Sequence, residues 1–453
     1  MNFITLKTRR SFMPHNQTCF YKKSFLSAVA VCLFATLFPS VSSATGDVMP
    51  SSTDIHSSHL DKKYPGQKYS VSMSGAQGLQ LDSRFVRDFI DPVKKNPDRN
   101  LTEQLPEYYM DWGWNVKDVT SNLESHRQTR GSNLTTIAII DSGIDENHPA
   151  LSENIVSGGR SFVPGEEGTK DQTGHGTMVA GMIAAKGKMS SIAPSIGIVP
   201  YKVFGKGASE SEWVIQAIKQ ATKDNVDVIN LSLGTYKDPT NKDDAKVIKA
   251  YEKAIKYAHK KGIVVVASSG TDGYNMDDQK ELAKKIGNMK RAVHLPGGLK
   301  DTITVGATNR LLQPTDYSNY GKEVDLSAPA GDYGADWSSS GIADIESFVL
   351  TTYPTYLPQS PVSQALELDQ GYEFMIGTSL ASPQVAAVAA LLIDVAKSAG
   401  VDLSPDMIER LLKKSTTPFL YSDNVRKGGK GIVNANSALN NLKILIEKGS
   451  IRK

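Results

Sequence analysis

Three residues of this 453-residue chain could share one piece of chemistry. Asp141 follows the apolar run "TTIAII" (135–140), His175 sits between two glycines in "DQTGHGT", and Ser379 lies in "GTSLASP", which runs into the apolar series "QVAAVAALLIDVA". Taken singly, each has an ordinary reading: a turn acid, an exposed loop histidine, a helix N-cap serine. Together they supply what nucleophilic catalysis requires. A hydroxyl nucleophile needs a general base within hydrogen-bond reach, and that base needs a carboxylate to hold its tautomer and stabilise its charged form. Pro383, expected in the first turn of the following helix, places Ser379 at the positive end of a helix dipole, where a developing anion is favoured.

The elements that must position these residues follow from hydrophobic patterning. Apolar runs bounded by Gly and Pro recur at 135–140, 197–204, 226–233, 262–269 and 301–308, and amphipathic helical patterns occupy 209–224 and 246–261. Continuous apolar strands separated by helices predict an α/β fold, a doubly wound and mostly parallel sheet with helices on both faces. In such sheets sites form at the carboxyl ends of strands, where Asp141 stands.

A hydrophobic content of 40% with 22% charged residues fits a soluble globular protein and excludes disorder throughout. The N-terminus reads as a secretory signal: Lys7, Arg9, Arg10, Lys22 and Lys23 precede the apolar run "SFLSAVAVCLFATLF", and "PSVSSA" leads to a cut after Ala44. That run is shorter than the ~20 apolar residues a membrane span needs. Cys32 lies in mid-run, away from a lipoprotein position, and both cysteines, Cys19 and Cys32, fall in the segment to be removed, so no disulfide is expected. Taking the signal's five basic residues from the formal +3 leaves −2, and a near-neutral product gives no electrostatic reason to bind nucleic acid or an anionic membrane. With no anchoring pattern in "EKGSIRK", release outside the cell is expected. Residues 45–110 lack the periodic apolar content of a large core and read as a linker and small module before a main domain at 111–445, with 446–453 as a tail.

The segments "IAIIDSGID", "GHGTMVAGMIAA" and "GTSLASPQVAAVAALL" resemble the three signature motifs of the subtilisin-like serine peptidases, over roughly Asp111 to Ala438. The order acid, histidine, serine is also that of the family. An α/β-hydrolase orders its triad differently, and "GTSLA" lacks the second glycine of its nucleophile elbow. The resemblance implies Asp141 as orienting acid, His175 as general base and acid, and Ser379 as nucleophile. It implies an oxyanion site from the Ser379 backbone N–H and Thr271, and substrate contacts at Ser232, Leu233, Gly234, Ser268, Ser269, Gly270 and His294. Residues 45–110 would be a small α+β propeptide acting as intramolecular chaperone and inhibitor, and the product a secreted bacterial monomer cleaving peptides or proteins.

Within the family the stretch "DLSAPAGDYG" and a long insertion from Asp332 to Tyr372, leading into "GYEFMIGTSLASP", look most like peptidases that trim lantibiotic leaders. A general secreted scavenging peptidase, a processor of another exported protein, and an inactive scaffold that binds peptides remain alternatives. Two departures bear on chemistry. Thr271 stands where the family usually has an Asn oxyanion donor, and loss of such a donor typically costs about 10²- to 10³-fold in rate unless the Thr hydroxyl substitutes. The loop "KGKMSS" after the His175 helix is short and basic where relatives ring a calcium ion; Lys186 and Lys188 would repel the cation, so that high-affinity site is expected to be absent, with weaker calcium sites possible and no cofactor required. If Asp272, Asp277 or Asp278 lines the primary pocket, a basic residue before the cut is expected; a solvated acidic loop is the other reading.

Overall fold

The computed structural model describes residues 71–73, 79–81, 109 and 112–450, apart from 157, 158, 206–208, 336, 338–341 and 422. The predicted signal (1–44) and nearly all of the predicted propeptide (45–110) lie outside the described residues. The strands are β1 (Val71–Met73), β2 (Leu79–Leu81), β3 (Thr136–Asp141), β4 (Arg160–Ser161), β5 (Gly197–Lys202), β6 (Val228–Leu231), β7 (Thr235–Lys237), β8 (Val264–Ser268), β9 (Val293–Leu295), β10 (Ile303–Thr308), β11 (Leu326–Pro329), β12 (Ile342–Ala343), β13 (Val349–Thr352) and β14 (Tyr372–Met375). The helices used below are α1 (Trp114–Thr120), α2 (His175–Ala184), α3 (Ser211–Lys223), α4 (Lys242–Lys260), α5 (Gln279–Ile286) and α6 (Thr378–Ser398).

Each predicted apolar run supplies a strand of one parallel sheet, β3 ending one residue past its run, and with the unpredicted β4 and β11 the order is β11-β10-β8-β6-β3-β5-β4. The chain builds β4 and β5 on one side of β3, then crosses to β6, β8, β10 and β11 on the other. The order therefore reverses between β3 and β6, and a crevice opens at their carboxyl ends. Both sheet faces are covered, which explains strands that are apolar throughout. On one face, Val214, Ile215 and Ile218 of α3 and Tyr251, Ala254 and Ile255 of α4 pack on Ile140, Ile229 and Val265. On the other lie α2 and α6. Among the described residues α6 is the one helix long and apolar enough to cross a membrane, and it is buried in this core.

Two expectations about helix starts change. α4 begins at Lys242, ahead of the predicted 246, because the Asn241 side chain caps it by accepting from the backbone N–H groups of Asp243 and Asp244. α6 begins at Thr378 with Gly377 as N-cap, so Ser379 is inside the first turn and Pro383 lies beyond it. The missing N–H of Pro383 leaves the Ser379 carbonyl without its helical donor. The Ser232 hydroxyl supplies one instead, at 2.8 Å.

The stretch from Asp332 to Tyr372 carries β12 and β13 and leads into β14, which pairs antiparallel with β13. β12 joins β1 and β2 in a small antiparallel sheet. Just outside the expected domain start at 111, Tyr109 is buried, its ring 5.0 Å from that of Tyr372 and its hydroxyl donating to Asp369 Oδ2 at 3.2 Å. Trp112 stacks edge-on against Phe374, and Trp114 Nε1 donates to the Phe348 carbonyl at 2.8 Å. At the other end the last helix runs to Glu447, past the predicted domain end.

Candidate active site

Asp141 ends β3 in full burial, and its Oδ1 lies 2.7 Å from Nδ1 of His175 while accepting from the Ser142 backbone N–H at 2.7 Å. An ionised carboxylate only accepts, so this contact puts the imidazole proton on Nδ1 and leaves Nε2 as the basic nitrogen. His175 is the first residue of α2. Gly176 is required there: a Cβ would stand 2.0 Å from the Gly143 carbonyl oxygen, so only glycine lets α2 approach the turn after β3 this closely.

A second buried carboxylate lies behind this pair. Asp171 Oδ1 accepts from the Ser142 hydroxyl at 2.9 Å and from the N–H groups of Thr173 and Gly174 at 3.0 and 2.8 Å. Its Oδ2 accepts from Thr177 N–H at 2.9 Å and the Thr177 hydroxyl at 2.7 Å. Ser142 Oγ in turn accepts from Gly176 N–H at 2.8 Å. Burial opposes charging of His175, yet the Asp141 charge, the hydrogen bond to it and the Asp171 charge prevail, and the imidazole pKa lies above its ordinary 6.5. Sequence reasoning quoted Asp171 within the histidine motif but missed this role; an acid four residues before a glycine-flanked histidine was the available signal.

The inserted stretch is strapped to this histidine loop. The Thr351 and Thr352 hydroxyls donate to the Met178 and Thr177 carbonyls of α2, both at 2.7 Å. Thr355 donates its N–H and hydroxyl to Asp145 Oδ2 at 2.9 and 2.7 Å, and Tyr356 donates its hydroxyl to the Asp171 carbonyl at 2.8 Å.

Ser379, half-buried, donates its hydroxyl to the Ser232 carbonyl at 3.2 Å. Ser232 follows β6, the sheet neighbour of β3, so Ser379 is held at the strand end next to the one that carries Asp141. The Thr271 methyl and the Ser379 backbone nitrogen lie 3.9 and 4.0 Å from the point where a Cβ on Gly377 would stand, so both residues border Gly377.

Of the remaining predicted contact residues, Gly234 and Gly270 border His294. β9 pairs antiparallel with β7 and sets His294 opposite Tyr236. The imidazole is buried, with Nδ1 3.2 Å from the Gly297 carbonyl, so Nδ1 donates and Nε2 is left as acceptor. A Cβ on Gly234 would come within 2.3 Å of that Nε2, and one on Gly270 within 3.1 Å. Burial drives the His294 pKa down to about 4 against the opposing charge of Asp272, leaving a neutral ring at pH 7. Asp272 Oδ2 accepts from the Tyr236 hydroxyl at 2.6 Å, and that hydroxyl accepts from Asn319 Nδ2 at 2.7 Å. Asn319 also donates to the Ser269 carbonyl at 2.9 Å, Ser268 ends β8, and Leu233 packs half-buried on the core. Of the three acids considered for the pocket, Asp272 alone reaches this wall. Asp277 accepts from the Lys322 backbone, and Asp278 caps α5. In the basic loop, Lys186 pairs with Glu153 and Lys188 with Asp369.

A profile of the subtilase family matches residues 132–438. Over 63% of its length the chain is 34% identical to the nisin leader peptide-processing serine protease of Lactococcus lactis subsp. lactis, and the match spans only 44% of that protein. It is 32% identical over 74% of its length to the epidermin leader peptide-processing serine protease of Staphylococcus epidermidis, of which 76% is covered. Subtilisin E of Bacillus subtilis is 31% identical over 69% of the chain, with 80% of that protein covered. Among solved structures, a lanthipeptide protease superposes with a TM-score of 0.66 at 33% identity, covering 73% of this chain and 95% of that one. The nisin leader peptidase from Lactococcus lactis gives 0.62 at 30% identity, covering 73% and 94%.

Proposed function

The chain belongs to the subtilase family of serine peptidases, and we propose that it is a secreted endopeptidase that releases the leader of a lanthipeptide precursor. The observation that carries the chemical part is the 2.7 Å contact between Asp141 and His175, at the strand end next to the one whose Ser232 carbonyl holds the Ser379 hydroxyl. In this reading His175 Nε2 removes the Ser379 proton as Oγ attacks the scissile carbonyl, the hydroxyl exchanging its Ser232 acceptor for the imidazole. The Ser379 N–H and the Thr271 hydroxyl hold the resulting oxyanion. His175 then passes its proton to the leaving amine, and water attacks the acyl-enzyme with His175 again as base. Extended substrate adds as a strand between Ser232–Gly234 and Ser268–Gly270.

Leader processing is supported by the two relatives named for that task and by the wall at His294. A neutral imidazole, the Tyr236 hydroxyl and the Asp272 carboxylate offer only acceptor capacity and negative charge to a residue beside Gly234 and Gly270, which suits a basic side chain before the cut. The signal pattern supports export, and the burial of Tyr109 and Trp112 favours a propeptide boundary before Tyr109, with the freed segment as chaperone and inhibitor and the product a monomer. Lys186 and Lys188 argue against a high-affinity calcium ion in their loop.

The test is cleavage of a lanthipeptide precursor with Arg before the leader junction, beside the same precursor with Leu there. We expect one cut, at the junction, with kcat/KM at least tenfold higher for Arg. Many cuts throughout both peptides, without preference, would mark a scavenging peptidase.

A further inference from the structure

Away from the strand ends, α3 and α4 run side by side over the sheet, and their outer surfaces form an open groove of about 580 Å³ lined by Lys219, Lys223, Lys246, Lys249, Lys253 and Tyr257, with Ala250 and Ala254 at its floor. All five lysines are exposed. Among the described residues only Lys246 of these five is ion-paired, to Asp243 at 2.8 Å. Lys256 and Lys260 extend the same helix beyond the groove. Like charges at helical spacing repel and destabilise, and the predicted product carries a net charge near zero, so this concentration of positive charge is local. Nothing in the proposed catalytic site uses it.

We propose that this groove binds a linear phosphate polyanion. The lining decides between anionic partners. Its lysines present point charges without the planar fork of an arginine, a mode in which lysine binds phosphate. The walls are helix bodies whose backbone donors are already committed, so an acidic peptide would find no strand edge to pair with. Apart from the lysines the lining holds only two alanines and one tyrosine, few apolar groups to recognise varied side chains. Charge carried in a polymer's own backbone is what such a trough can read. Lys246, Lys249 and Lys253 fall about 4.5 and 6 Å apart along the helix axis at 1.5 Å per residue, a continuous positive track.

The experiment measures binding of long-chain inorganic polyphosphate to the full chain carrying Ser379→Ala, which prevents self-digestion, across a salt series. If five phosphates are neutralised, log affinity falls against log salt with a slope of about −3.5. Adding Lys219→Glu, Lys249→Glu and Lys253→Glu should weaken binding at least thirtyfold and flatten the slope. A control of equal charge change, Lys284→Glu, Lys285→Glu and Lys300→Glu, should weaken it less than threefold. These are exposed positions, and equal circular dichroism and melting temperature would show all variants folded. The proposal is overturned if polyphosphate does not bind at 50 mM salt, if the groove and control variants lose affinity equally, or if polyglutamate of matched charge binds as tightly.

Discussion

Asp171 Oδ1 accepts the Ser142 hydroxyl proton at 2.9 Å, and this bond joins the loop that delivers His175 to the turn that follows Asp141. The catalytic pair proposed here is therefore held by a buried carboxylate acting through Ser142 and the backbone of the histidine loop. In Asp171→Asn an amide NH₂ would face donors of Ser142, Gly174 or Thr177 whichever way it turned. We expect a loss of about 3 kcal/mol of stability from buried donors left without acceptors. The activity readout separates position from charge: removing a negative charge that favours the imidazolium lowers the His175 pKa, so the acid limb of kcat/KM should move to lower pH. An acid limb that stays in place would mean Asp171 acts on folding alone.

The insertion is predicted to act on turnover through α2. Thr355→Val removes a hydroxyl from Asp145, and Tyr356→Phe removes the bond to the Asp171 carbonyl. Each should cost about 1 kcal/mol in a urea melt. The double variant should lower kcat while leaving KM within twofold; a change in KM alone would instead make the insertion a substrate-binding element.

His294 predicts an acid-labile fold. Its folded pKa of about 4 lies below the ordinary 6.5, so as pH falls the unfolded chain takes up the proton first and stability is lost between those values. The shift corresponds to about 3 kcal/mol. In a Ser379→Ala background, His294→Gln should remove most of the difference between denaturation midpoints at pH 7 and pH 4. An equal acid sensitivity in both proteins would place the labile group elsewhere.

Thr271 predicts a graded oxyanion series. Thr271→Val keeps shape and removes the hydroxyl, and kcat should drop about 10²-fold or more with little change in KM. Thr271→Asn should restore or exceed the original rate. If Val turns over as fast as Thr, the Ser379 N–H carries the oxyanion alone.

Much of this was legible because each motif is local. Asp141, His175 and Ser379 each sit where an apolar run meets small residues, and the run itself reports the strand or helix that aims them. For the same reason each predicted run supplied a strand, with β3 ending one residue past its run at Asp141, whereas the short edge strands β4 and β11 were not anticipated. Contacts between distant segments were not legible. Thr355 meets Asp145 across 210 positions, and Tyr109 meets Asp369 across 260, so no window along the chain reports either pairing. The Pro383 misplacement is a different failure. Proline is commonest in a helix's first turn, but here a tertiary hydroxyl, Ser232, replaces the donor that proline lacks and lets the helix start earlier.

The central claim is that Ser379 is a nucleophile activated by His175, and covalent capture tests it most directly. The full chain, Ser379→Ala and His175→Ala would each be treated with a fluorophosphonate and read by intact mass and peptide mapping. The account predicts one adduct on the wild-type chain, mapped to Ser379, absent from Ser379→Ala and at least 10³-fold slower in His175→Ala. A wild-type chain that stays unlabelled while folded, or an adduct mapped to another serine, would contradict it.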